Sequence, residues 1–155
     1  NKKVLTETFD RTPFNLIWDE DNGGIYFSTE DKGTNNLYYA PRTGGAVRQI
    51  TKGNHQFLAS NMSKNGTVTG VLSDAKQTGD VVIFNLKQPT PRKITDINDD
   101  LLEGRRLGEV EEIWYDSVGG MKIQGWIVKP PDFNPAKKYP LLLYIHGGPH
   151  AMYGI

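Results

Sequence analysis

A mainly β chain, built of two four-stranded units followed by the first strands of a different, α/β-type sheet, is the fold class that the sequence predicts. Three observations carry the prediction. Gly, Pro, Tyr and Phe number 17, 9, 7 and 6 in 155 residues, a composition of short strands and tight turns. The endings Arg48-Gln-Ile-Thr51 and Arg92-Lys-Ile-Thr95 recur 44 residues apart, inside the period of roughly 40 to 45 that marks a four-stranded propeller blade. Near the C-terminus the unalternated apolar run Leu141 to Ile145 suits a strand buried on both faces, as in the middle of an α/β sheet.

The elements follow in order. Residues 15–51 predict four strands, Leu16 to Trp18, Ile25 to Thr29, Asn36 to Ala40 and Val47 to Ile50, each bounded by Gly, Asp, Asn or Pro. Residues 55–95 repeat the plan with Phe57 to Ser60, Val68 to Leu72, Val81 to Leu86 and Arg92 to Thr95. Two blades do not close a ring, since propellers take roughly four to eight. The repeat therefore favours a piece of a larger protein, while a small sandwich of about eight strands is what alternation alone also permits. Asp96 to Glu112 is charged, holds one helical turn and reads as a linker. Next comes a hairpin, Glu112 to Tyr115 and Lys122 to Val128, turning near Gly119-Gly120. The proline-rich "KPPDFNPAKKYP" is neither helix interior nor central strand. The expected domains are 1–95 for the blades, 96–111 for the linker and 112–155 for the start of the last sheet.

Bulk properties exclude several functions. With 18 basic and 18 acidic side chains, no net field exists to gather nucleic acid or an anionic membrane. No run reaches the roughly 18 apolar residues of a membrane span, and "NKKVLTETFDRTPF" has no apolar signal-peptide core. The absence of cysteine removes disulfides, thiolate nucleophiles and Cys-type zinc sites, and it suits cytosol and periplasm equally.

Chemistry concentrates in "YPLLLYIHGGPH". Glycines directly after a buried strand let the backbone turn sharply and bring a peptide N–H close to a ligand. An oxyanion hole needs such a donor, about 3 Å from an oxygen that becomes negative only in the transition state. In α/β-hydrolases one donor comes from an HGGG-type loop after the third strand, and His146-Gly147-Gly148-Pro149 is a close variant.

Blade repeats ending in "R.IT", then "YDSVGGMKIQGWIVKPPDF", then "KKYPLLLYIHGGPHAMYG" together resemble the junction of the prolyl oligopeptidase family of serine peptidases. Within it the chain looks most similar to the acylaminoacyl-peptidase and dipeptidyl-aminopeptidase-like branch. The resemblance covers about Thr6 to Ile155. It implies the end of a β-propeller that filters substrates by size, joined to the start of an α/β-hydrolase domain that cleaves short peptides with a Ser, Asp, His triad. It carries over Gly148 as an oxyanion donor through its backbone N–H, Gly147 as the residue that shapes the loop, and His146 and Pro149 as residues that hold it. The family's nucleophile sits in a downstream G-x-S-x-G elbow, and this sequence has none. The triad is thus expected beyond Ile155 and the chain alone is expected to be inactive, with no cofactor and no metal. A short peptide is the implied substrate of the longer protein, and unpaired strand edges predict self-association of an isolated chain. An esterase shares the HGG loop, and a non-catalytic propeller binding module is the alternative from another class.

Other constellations have simpler readings. His146 and His150 are four apart, as metal ligands on a helix are, but the glycines and proline between them oppose a helix. Asp19, Asp21, Gly24 and Glu30 fall at positions 1, 3, 6 and 12 of a calcium loop, yet Gly23 at position 5 offers no side-chain oxygen and the flanks read as strands. A turn between two strands fits better. The pairs Tyr26-Phe27, Tyr38-Tyr39 and Trp114-Tyr115 read as sheet packing, Arg105-Arg106 as a solvated pair, and His55 and His150 as polar loop residues.

Overall fold

The computed structural model describes residues 2–148 and 150–155. The chain divides into two compact units, the first reaching to Asp100 and including Met152–Ile155, the second comprising Leu101–Ala151.

The first unit holds one eight-stranded sheet made of two antiparallel meanders. Strands β1 (Phe14–Trp18), β2 (Gly24–Asp31), β3 (Thr34–Pro41) and β4 (Arg48–Gln49) form one. Strands β5 (Gln56–Met62), β6 (Thr67–Asp74), β7 (Gln77–Asn85) and β8 (Gln88–Lys93) form the other. A single parallel pairing, Asn35 with Gln56, joins β3 to β5. The β2–β3 hairpin closes through Lys32 and Gly33, whose φ values of 48° and 75° are those of the two-residue turn that matches strand twist. Each predicted strand of residues 15–95 has a counterpart. Of the two closing strands, β4 is shortened to Arg48–Gln49, and β8 is displaced toward the N-terminus, running Gln88–Lys93.

Alternation along the strands creates two apolar layers. Tyr26, Leu37 and Tyr39 of the first meander pack against Phe57, Ala59, Val68, Leu72, Val82 and Phe84 of the second. The opposite side of the first meander, Phe27, Tyr38 and Ala40, is covered by Leu5, Phe9 and Val47. A polar feature fixes which faces correspond. Thr51 Oγ1 accepts from the Leu37 N–H at 2.9 Å and donates to Asn36 Oδ1 at 3.0 Å. In the second meander, Thr95 Oγ1 accepts from the Val81 N–H at 2.9 Å and donates to Asp80 Oδ1 at 2.7 Å. Asn36 shares its face with Tyr38 and Ala40, whereas Asp80 shares its face with Val82 and Phe84. Equivalent faces are therefore used differently: the second meander presents to the first the side that the first turns away from it. The packing is head-to-tail. The remaining side of the second meander carries the cross-strand row Leu58, Val71 and Val81, with Leu58 and Val71 still 43% and 41% exposed.

The second unit contains a hairpin, β9 (Val110–Asp116) and β10 (Lys122–Val128), paired in register from Val110–Val128 to Asp116–Lys122. One helical turn, α1 (Asp99–Leu102), lies where the chain passes between the units. The predicted strand Leu141 to Ile145 does not form: its five side chains are 72 to 92% exposed and the backbone pairs with nothing regular. This corrects the expectation of a buried α/β-sheet strand within the chain. A strand buried on both faces needs a neighbour on each edge and cover above and below. No described residue of the second unit is buried, so none of that cover is supplied here.

Candidate active-site loop

The apolar run delivers the chain, extended and exposed, to His146, Gly147 and Gly148; Pro149, predicted to hold the loop, lies outside the described residues. His146 Nδ1 sits 2.7 Å from the Gly147 carbonyl oxygen, which can only accept, so the Nδ1–H donates a hydrogen bond to it. A Cβ on Gly147 would meet nothing within 4 Å, while one on Gly148 would lie 3.3 Å from the His150 amide nitrogen. Gly148 therefore sits at the tighter point of the loop, where an added Cβ would press on the His150 amide. The structure brings His146, Gly147 and Gly148 together as consecutive residues of one exposed loop.

The segment after this loop returns to the first unit. Met152 and Ile155 contact the β2–β3 turn, with Gly33 N–H donating to Met152 Sδ at 3.1 Å and Ile155 N–H donating to the Gly33 carbonyl at 3.2 Å. Gln56 Nε2 donates to that same carbonyl at 2.8 Å. A Cβ on Gly154 would fall 2.1 Å from Gln56 Nε2 and 2.2 Å from Gly33 O, so only glycine fits there. These contacts were not foreseen from the sequence. A third glycine shortly after the Gly147-Gly148 pair was the visible signal.

The remaining candidates resolve into structure. Asp19 to Gly24 forms a turn, with the Asn22 N–H donating to the Asp19 carbonyl at 2.9 Å, and the Asp19 carboxylate accepts from the Tyr39 hydroxyl at 3.1 Å. Among the described residues, no three His, Asp or Glu side chains converge as metal ligands would. Arg105 Nε donates to the Leu101 carbonyl at 2.7 Å, and Arg106 pairs with Asp132 at the surface. Tyr26 and Tyr39 pack with ring centres 4.7 Å apart, and Phe27 stacks on Tyr38 at 6.0 Å. Trp114 is exposed and donates from Nε1 to Glu112 at 2.7 Å.

His55 lies in the bend before β5, as a hydrogen-bonded polar loop residue should, and it is also buried. It is 8% exposed, and its Nε2–H donates to Asn36 Oδ1 at 3.0 Å, the atom that also takes the Thr51 proton. Asn36 Nδ2 in turn donates to the Gly53 carbonyl and to Thr34 Oγ1, both at 3.3 Å, which fixes its amide orientation. Burial lowers the His55 pKa, opposed by the charge of Asp74. At the matching place in the second meander, Asp80 Oδ1 accepts from Thr95 and from the Ile97 N–H at 3.1 Å, and Asp80 Oδ2 pairs with Lys93 at 3.1 Å. The Thr95 and Ile97 hydrogen bonds hold the Asp80 pKa down, aided by Lys93 and opposed by burial. Hydrogen bonding to Asp99, with Asp80 and Asp96 adding, raises that of Lys93.

No family model matches the chain. The chain is similar to dipeptidyl-peptidase 5 of Porphyromonas gingivalis, with 31% identity over 145 residues that cover 94% of this chain and 21% of that protein. It is similar also to dipeptidyl-peptidase 5 of Trichophyton equinum, with 30% identity over 160 residues, 99% of this chain and 22% of that one. Among solved structures, the acylaminoacyl peptidase of Pyrococcus horikoshii matches with a TM-score of 0.76 and 25% identity, over 98% of this chain and 23% of that chain. The chain thus spans about a fifth of the length of the curated relatives it matches.

Proposed function

Because this chain is related over nearly its whole length to peptidases of the prolyl oligopeptidase family, we propose that it is the segment of a serine peptidase in which the end of a β-propeller meets the start of an α/β-hydrolase domain. Residues 1–95 are then two blades, 96–111 the linker and 112–155 the first strands of the hydrolase sheet. The head-to-tail packing of the meanders supports the blade reading, since each blade of a propeller shows unlike faces to its two neighbours. Leu58, Val71 and Val81 then face a further blade, and Leu141 to Ile145 becomes an inner strand once the rest of the sheet flanks it.

The complete protein hydrolyses short peptides by acyl-enzyme chemistry. A serine activated by a histidine attacks the scissile carbonyl, and the Gly148 N–H donates to the oxygen that becomes negative. Gly147 keeps the approach to that N–H open, and His146 and Pro149 hold the loop. Serine, aspartate and histidine lie outside this chain, so the segment alone turns nothing over. Removing one oxyanion donor typically costs about 100- to 1,000-fold in kcat, and Gly148 supplies only one.

The observation that carries the proposal is the alignment of this chain, across 94% of its length, with a dipeptidyl-peptidase. The test is to treat the product of the complete gene with a fluorophosphonate and to map the adduct. One adduct on a serine downstream of His150, with peptide turnover abolished in parallel, supports it. An adduct with turnover of esters and not peptides makes the protein an esterase, and no adduct leaves a propeller-type binding module.

A further inference from the structure

The signature that closes both meanders, a basic residue two positions ahead of an aliphatic one and its threonine, occurs a third time as Lys3-Val4-Leu5-Thr6. Thr6, Thr51 and Thr95 stand 45 and 44 residues apart. In the two later cases the threonine makes the same pair of bonds. Its hydroxyl accepts the N–H of the residue 14 positions earlier, Leu37 or Val81, and donates to the side-chain oxygen of the residue 15 positions earlier, Asn36 or Asp80. For Thr6 both positions fall ahead of Asn1, and among the described residues its hydroxyl has no hydrogen-bond partner.

The residue before each threonine is an independent sign. Ile50, before Thr51, packs into the apolar layer between the two meanders. Leu5, before Thr6, packs with Phe9 and Val47 on Phe27, Tyr38 and Ala40, the outward face of the first meander. That face is the equivalent of the one through which Val82 and Phe84 of the second meander meet Tyr26, Leu37 and Tyr39 of the first. Its fitting partner is therefore another meander's counterpart of Tyr26, Leu37 and Tyr39. Lys3 to Thr6 has no regular pairing here, as befits a closing strand apart from the sheet it closes.

We infer that Lys3 to Thr6 closes a further meander upstream in the same protein, seated on the face of Phe27, Tyr38 and Ala40, and that Thr6 clasps an Asn or Asp 15 residues before it. A hydroxyl has one proton to give, and once it has accepted a strand N–H that proton needs an oxygen close by. Asn36 and Asp80 supply it from short side chains on the same strand as the bonded N–H. Residues 2–6 thus belong to the unit ahead of the first blade. The inference rests on the repeat and the head-to-tail packing, which make no use of the peptidase assignment.

The test reads the complete gene upstream of Asn1 and then follows amide hydrogen exchange, by mass spectrometry, in Thr6→Ala, Thr6→Ser and Thr51→Ala. An Asn or Asp is expected 15 positions before Thr6. In the complete protein Thr6→Ala should speed exchange of the amide next after that residue by about tenfold, as Thr51→Ala should at Leu37, with Thr6→Ser within about threefold. In this chain alone Thr6→Ala should leave exchange across β2 and β3 within about twofold. An apolar residue at the upstream position overturns the clasp. So does unchanged exchange in the complete Thr6→Ala protein when Thr51→Ala speeds that of Leu37, or an equal acceleration with and without the upstream sequence. Failure of the unaltered protein to take a fluorophosphonate would remove the peptidase assignment and leave these exchange results to decide the clasp by themselves.

Discussion

Thr51 donates its hydroxyl to Asn36 at 3.0 Å while accepting the backbone N–H of Leu37, so one side chain satisfies both a backbone donor within β3 and a buried amide oxygen. Replacing Thr51 by Ala leaves that N–H and part of Asn36 unsatisfied in a dry site. The expected cost is about 1–3 kcal/mol, with Thr51→Ser losing less than half of that. Urea denaturation of the chain measures it, and equal losses for Ala and Ser would show that the methyl group and not the hydroxyl matters.

Asp80 takes the place of Asn36 one repeat later, and its carboxyl is held below the ordinary value of 3.8 by Thr95 and Ile97 before Lys93 adds its charge. A depressed native pKa means that the unfolded chain binds the proton first as acid is added. Stability contributed by Asp80 is therefore present above about pH 4 and lost as the pH falls from there through the lower native value. Asp80→Asn keeps both oxygen-directed hydrogen bonds but not the charge pair with Lys93. It is expected to be less stable at pH 7 and to show a shallower loss between about pH 4 and 2, followed by denaturation at fixed urea.

His55 works in the other direction along the pH scale from a cationic group that gains a partner. Burial holds it neutral in the folded chain below the ordinary 6.5, with Asp74 opposing. As pH falls past about 6.5 the unfolded state takes up a proton that the native state refuses, so stability falls toward acid over that window. His55→Gln, which can still donate to Asn36, is expected to flatten the urea midpoint between about pH 7 and 5. A profile identical to that of the unaltered chain would remove His55 from the account.

Phe57 and Leu142 are both large and apolar, and they sit at opposite extremes of exposure. Phe57 is fully buried against Phe84, with rings 5.5 Å apart, so Phe57→Ala is expected to cost about 3–5 kcal/mol, comparable to the whole stability of a small domain. Leu142 is 92% exposed, and Leu142→Asp should shift the stability of this chain by no more than about 0.5 kcal/mol. In the complete protein the same substitution should destabilise strongly if Leu141 to Ile145 becomes an inner strand. Circular dichroism melts of the variant, in this chain and in the complete protein, separate the two cases; a neutral effect in both would exclude the inner strand.

How far the sequence could be read depended on whether its signals were local. The two meanders were legible because apolar alternation and turn residues act within a few positions, and because Arg48-Gln-Ile-Thr51 and Arg92-Lys-Ile-Thr95 mark the same joint. The reason those endings recur was not legible: the threonine bonds a strand that begins more than ten residues earlier, and only the folded register reveals the pairing with Asn36 and Asp80. His55 is the loop residue it looked like, but its burial was not legible, because it depends on Asn36 reaching it from β3. Leu141 to Ile145 failed for the converse reason. Its pattern is that of a strand buried on both faces, and pattern alone does not report whether partners are present. In the candidate loop, Gly147 and Gly148 stand out through local backbone demands, whereas the contact of Gly154 with Gln56 exists only because residues 152–155 return to the Gly33 turn.

The head-to-tail contact between the meanders bears on how such an array is put together over generations. A junction between like faces would pair off two units and stop; a junction between unlike faces repeats without limit until geometry closes it. Copying or removing one 44-residue stretch therefore preserves the chemistry of every junction that remains, and stability changes by one unit and one interface at a time, as in linear repeat proteins. Unit number is then free to drift while the two terminal faces stay constant, and selection acts on the number of units without having to rebuild the core of each.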